Sequence, residues 1–312
     1  MKQNSSIIPY GSLMLSVLFW GLSFVGTKIA LESFTPFSLI FLRFSAASCF
    51  FLVLMFYRGF PKLTRKEHGR LFLAALFQPG LYFLCETMGL QYTSASKASL
   101  IVATIPMAVL ALSAIFLKER FNWVVIVGIG LSLVGVTMLI FGDPHVSWSF
   151  GGPMAGDLLM FGAVIAMAIY TVLMKNLATT RSAIDITGLQ IIYGALLFAP
   201  AFFWQLPSTE WSELTQQSLV ALVSLTLFAT IGAFLFFNFA LSKIPATRTA
   251  IFLNCVPVVT AIGAWLILGE WLTLIQIAGG VVVLISVYLT SFLGEKSIKF
   301  EFRKLFPTPR EL

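Results

Sequence analysis

Ten stretches of about 20 largely apolar residues follow one another along the chain, and each matches the length a helix needs to cross a bilayer. They fall at about 11–31, 36–57, 71–91, 98–117, 122–141, 157–175, 184–204, 218–240, 247–268 and 272–293. Hydrophobic residues make up 58% of the 312 residues and charged ones only 11%, against roughly 25% charged in a soluble domain. A soluble fold of this length has too little interior for so much apolar surface, so lipid is the expected solvent. The first run continues too far to read as a cleaved signal peptide, and Lys2 is the only basic residue ahead of it. Cys49, Cys85 and Cys255 all lie inside apolar runs, which implies no disulfide framework.

The basic residues give the runs a direction. With the amino terminus inside, 17 of the 20 Lys and Arg fall in cytoplasmic segments. The long outer segments 142–156 and 205–217 then contain none. Reversing the chain reverses that ratio, so both ends are expected in the cytoplasm, in a cell inner (plasma) membrane. The same distribution accounts for the net charge of +7 without a nucleic-acid partner. The tail from Glu295 mixes basic residues with Phe300, Phe302 and Phe306; it reads as a membrane-surface anchor, or as a partner-binding tail.

A shift of 151 residues superposes the two halves without a gap over their best region. Leu90 falls on Leu241, Ala95 on Ala246, Lys97 on Arg248, Pro106 on Pro257, Leu117 on Leu268, Glu119 on Glu270 and Gly128 on Gly279. The earlier spans align at a slightly different offset, which brings Lys28 onto Lys175. Five spans per half is odd, so the second half enters the membrane inverted. The expected fold is an all-α polytopic membrane protein of ten helices, arranged as two inverted five-helix repeats around a central cavity. The segments are an N-terminus at 1–10, a first repeat at 11–141, an external linker at 142–156, a second repeat at 157–293 and a basic tail at 294–312.

Several motifs resemble the EamA-domain transporters of the drug/metabolite transporter superfamily. The first span carries Phe19-Trp20-Gly21-Leu22-Ser23-Phe24, like the family's LWGSSF, and the second carries Leu42-Arg43-Phe44, like its LRF. Residues Gly89 to Ser99 are similar to ALKYTSASNAS; Pro106 and Leu117-Lys118-Glu119-Arg120 match a mid-helix proline and LGER. Pro257 and Leu268-Gly269-Glu270 repeat the last two elements. The resemblance covers residues 11 to about 293 and implies ten helices around a central cavity, with export of amino acids, drugs or other metabolites. Lys97 stands where many members have Asn, and Glu86 where many have an apolar residue.

Lys28, Arg43 and Glu86 are the ionisable residues read as lying well inside spans. A charge there costs about 2.5–3.5 kcal/mol on insertion scales and faces the bundle interior beside a partner. All three fall in the outer leaflet with Lys97 above them. Two readings follow: an ion-paired cluster stapling the first four spans, or a site where Glu86 takes a cationic group or a coupling proton. Lys97 and Arg248 either snorkel to the interface or act as paired gate charges for an anionic group. Pro106 and Pro257 each remove a mid-helix hydrogen bond and are candidate hinges. Trp20, Tyr82, Glu86, Ser99, Thr104, Tyr170, Asn238 and Asn254 are the cavity-lining candidates; the two amides are alternatively helix–helix contacts. Glu119 and Glu270 are expected to serve the N-terminal dipoles of the helices that follow them.

His68 and His145 both lie in loops, HExxH and GxxxxGK are missing from the sequence, and no enzyme activity, metal or cofactor is expected. The function expected is a secondary transporter that moves a small metabolite by alternating access, most simply an exporter of amino acids or related compounds. Uptake or exchange is the alternative within the class, and a channel or membrane receptor the alternative outside it. The sequence leaves the oligomeric state open.

Overall fold

The computed structural model describes residues 7–117, 123–142, 152–178, 181–208, 213–241, 253 and 255–289, and among these every regular element is helical. In chain order they are α1 (Ile7–Ala30), α2 (Pro36–Arg58), α3 (Arg65–Ala75), α4 (Tyr82–Leu90), α5 (Ala95–Val102), α6 (Ile105–Leu117) and α7 (Trp123–Phe141). There follow α8 (Pro153–Ala178), α9 (Ala183–Gln205), α10 (Gln216–Ser224), α11 (Ala233–Leu241), α12 (Val256–Leu268) and α13 (Leu274–Leu289). Two π-helical segments, Leu76–Leu81 and Leu225–Gly232, join α3 to α4 and α10 to α11.

Among the described residues, six continuous helical stretches are long and apolar enough to cross a membrane, and four shorter apolar helices accompany them, at Ala95–Val109, Ile126–Phe141, Val256–Leu268 and Leu274–Ser286. The chain is a multi-pass membrane protein, and its surface says why: Met14, Phe56, Leu196, Trp204, Leu266 and Leu274 are all exposed. Water would penalise such a belt of bare side chains, whereas acyl chains accept it. The boundaries follow local chemistry. Thr35 accepts the Ser38 amide ahead of Pro36, Thr64 and Glu67 form a capping box, and Thr215 accepts the Ser218 amide. Gly269 closes α12 with φ of 66°, a conformation that favours glycine.

The helices meet in a recurring set of pairs: α2 on α9, α7 on α13, α4 on α8, α1 on α11, α1 on α12 and α6 on α8. Two of these crossings are backbone on backbone. A methyl group on Gly135 would lie 2.8 Å from the Gly279 carbonyl oxygen, and one on Gly279 the same distance from that of Gly135. Gly89 and Gly156 do likewise where α4 crosses α8, at 3.0 and 2.8 Å. Without water to drive helices together, such close approach supplies the dispersion contacts that hold a bundle in lipid.

Candidate functional site

The wide turn at Leu225–Gly232 organises the middle of the bundle. Thr230 donates its hydroxyl to the carbonyl of Leu225, five residues earlier, and accepts a hydrogen bond from Nε of Arg43 on α2. The neighbouring Ala229 carbonyl accepts the indole N–H of Trp20 at 3.2 Å, and Trp20 packs edge-on against Phe234. Arg43 is buried, with its guanidinium carbon 5.0 Å from the centre of the Phe83 ring. Its positive charge acts on Glu86, one turn along α4 from Tyr82, whose hydroxyl reaches Glu86 Oε1 at 3.4 Å. Trp20, Arg43, Tyr82 and Glu86, all named from the sequence, therefore converge with Thr230 on one place.

The other wide turn is braced in the same way. Within Leu76–Leu81, Gln78 leaves helical geometry (φ −142°, ψ 112°) ahead of Pro79, so its backbone needs a partner from outside. Gln190 of α9 supplies it, donating to the Gln78 carbonyl and side-chain oxygen at 3.2 Å each. Tyr170 of α8 donates to Gln190 at 3.1 Å. A hollow of about 10 Å³, room for roughly one water, is lined by Phe44, Gln78, Phe83, Gln190 and Phe234 between the two braces.

Among the described residues, the remaining charges do not gather into one ion-paired cluster. Lys28 pairs with Glu270 at 3.0 Å, Lys97 with Asp157 at 2.9 Å, and Arg181 with Glu67 at 2.8 Å. Glu270 serves a helix other than its own successor: its carboxylate accepts the amides of Ala95 and Ser96 at the start of α5, at 3.1 and 3.2 Å. It thus clasps α1, α5 and the α12–α13 turn. Lys97 is 1% exposed and does not snorkel; Thr93 completes its site by donating to Asp157 at 2.7 Å. The close approach of α4 and α8 at Gly89 and Gly156 encloses Lys97, and the Asp157 carboxylate offsets the cost of desolvating its ammonium.

Ser99 and Thr104 are buried, and each donates to the carbonyl three residues earlier, Ser96 at 2.8 Å and Ile101 at 2.6 Å. The helix breaks at Ala103–Thr104, just ahead of Pro106, and Pro257 stands in the first turn of α12. Asn254, Arg248, Glu119 and the Asn238 side chain lie outside the described residues. Gln78, Gln190, Thr230, Asp157 and Glu270 were not picked out as site residues. The Lys28-to-Lys175 offset of 147 carries Arg43 onto Gln190, and this signal was available in the sequence.

The model for the EamA-like transporter family matches residues 8–141 and again 154–292. An uncharacterized transporter of Archaeoglobus fulgidus is 30% identical over 89% of this chain and 96% of its own. The uncharacterized transporter YetK of Bacillus subtilis is 30% identical over 90% of this chain and 86% of its own. A solved crystal structure, at 14% identity, superposes with a TM-score of 0.63 over 95% of this chain and 99% of its own, a likeness of fold.

Proposed function

The chain belongs to the EamA-like transporter family, and on that premise we propose that it is a secondary transporter exporting amino acids or related small metabolites by alternating access. Ten crossings, with both ends in the cytoplasm of the inner membrane, divide into two five-helix halves of opposite orientation. The substrate site lies between them, at the convergence of Trp20, Arg43, Tyr82, Glu86 and Thr230.

The observation that carries this reading is the exchange symmetry of the contacts. Replacing each helix by its counterpart in the other half leaves the α2–α9 and α7–α13 pairs unchanged, turns α4–α8 into α11–α1, and turns α6–α8 into α12–α1. The braces exchange too. Arg43 of α2 holds the wide turn before α11, and Gln190 of α9 holds the wide turn before α4. The family model matching the chain twice, over 8–141 and 154–292, agrees with this division. Two such halves can swap conformations, which converts a cavity open to one side into one open to the other. Interrupted helices flanking the midplane site are the parts that flex, and the Lys28–Glu270 clasp closes the outer end in this state.

Counterflow in proteoliposomes tests the proposal. The expected result is saturable uptake of a labelled amino acid that an internal load of the same compound accelerates. Flux that neither saturates nor responds to internal load would mark a channel, and no flux of any amino acid would overturn the cargo.

A further inference from the structure

Arg58, Lys62, Arg65, Lys66 and Arg70 all stand exposed where α2 gives way to α3. Glu67 is the one carboxylate in that stretch of sequence, and it is committed to Arg181, at 2.8 Å, and to the Thr64 amide, also at 2.8 Å. The ion pairs among the described residues engage none of the five cations. Local helix energetics do not account for them either, because Arg65 and Lys66 occupy the first turn of α3, the end at which a helix favours anions. The charge rule that orients a membrane protein counts the cations in a loop; it does not ask for them on one face.

Here they share a face with apolar side chains. Arg65, Lys66, Gly69 and Arg70 are exposed at helical spacing. Phe72, Leu73 and Leu76, at 44%, 47% and 41% exposure, continue the same stripe. The opposite face, with Leu71, Ala74 and Ala75 buried, packs against α8 and α9. α3 opens the apolar stretch Arg65–Leu90 that is long enough to cross a membrane. Lys66 therefore stands about 10 Å ahead of Leu73 along the crossing, at about 1.5 Å per residue. That step sets the cations at headgroup level and the leucines among acyl chains. Gly69 lies between the cations, and a methyl group there would meet nothing within 4 Å, which leaves a notch where a phosphate can settle against the helix. Across the turn, Tyr57 and Phe60 are 82% and 60% exposed, as aromatic side chains are at a membrane–water boundary.

We propose that this face of α3 binds the headgroup of an anionic phospholipid such as phosphatidylglycerol. The phosphodiester lies over Gly69 between Arg65, Lys66 and Arg70, whose guanidinium forks match its oxygens. One acyl chain runs along Phe72, Leu73 and Leu76. Arg58 and Lys62 add to the local positive potential. A zwitterionic headgroup carries the same phosphate, but its own cation offsets the charge. The inference needs the membrane setting and holds whatever the cargo.

The test is a titration of the purified full-length protein in an uncharged detergent, read by native mass spectrometry, with phosphatidylglycerol, phosphatidylcholine and the soluble glycerol 1-phosphate. Phosphatidylglycerol should bind at least about ten-fold tighter than either other probe. The triple variant Arg65→Gln, Lys66→Gln, Arg70→Gln should lose that preference, and Gly69→Glu, which sets a carboxylate in the notch, should lose it while keeping all three cations. A control that removes as much charge from the tail, Lys296→Gln, Lys299→Gln, Arg303→Gln, should keep it. Equal binding of the two lipids, or an unchanged preference in Gly69→Glu or in the triple variant, overturns the inference. A tail variant that loses as much as the triple variant also overturns it, assigning the preference to diffuse charge. Glycerol 1-phosphate binding as tightly as phosphatidylglycerol overturns it in favour of a free-phosphate site.

Discussion

Lys97 and Asp157 show what a single residue costs in this bundle. Both are sealed from solvent, at 1% and 0% exposure, and the pair joins the start of α5 to the start of α8. Asp157→Asn leaves an ammonium desolvated beside a neutral amide, a loss of about 3–5 kcal/mol for a broken buried pair. The double variant Lys97→Met with Asp157→Leu removes both charges and should recover most of that loss. Unfolding in detergent checks it, and equal destabilisation by the single and double variants would contradict the account. From the sequence Lys97 was legible as a charge near a helix start, but not its burial, because close crossing at Gly89 and Gly156 decides that and periodicity carries no information about crossing distance. Glu270 was legible as a matched repeat residue. Its partners, Lys28 and the amides of Ala95 and Ser96, belong to the other half, and only the folded arrangement assigns them.

At the scale of elements, the interruptions matter more than the helices. The apolar runs at 71–91 and 218–240 read as uninterrupted spans, and each contains a wide turn in the structure, at Leu76–Leu81 and Leu225–Gly232. Apolar length fixes where a helix crosses, whereas the wide turns depend on hydrogen bonds brought from α2 and α9, so their side-chain partners are invisible to a window of hydropathy. Pro106 was legible because proline lacks the N–H that would reach the Val102 carbonyl, and the break falls at Ala103–Thr104. Pro106→Ala restores that bond and should fuse α5 with α6. The expected outcome is unchanged or raised thermal stability with counterflow slowed about ten-fold. Normal counterflow with a fused helix would make the break a static bend rather than a hinge.

For the whole molecule, the exchange of contacts between halves is the feature on which the proposed alternating access rests. The sequence register of 151 carries the matched Pro, Glu and Gly residues, and the 147 register of the earlier spans carries Arg43 onto Gln190. The two bracing residues differ in chemistry, so the halves are alike in architecture and unlike in charge: the buried brace is a guanidinium on α2 and an amide on α9. In this state Glu270 clasps α1 and α5 at one end. The most direct measurement is counterflow in a variant that carries Ser96→Cys with Glu270→Cys, before and after linking the two thiols with a short bifunctional reagent. The account predicts that the unlinked variant transports, that linking abolishes counterflow, and that cleaving the linker restores it. Transport at an undiminished rate with the clasp covalently closed would contradict alternating access through this end.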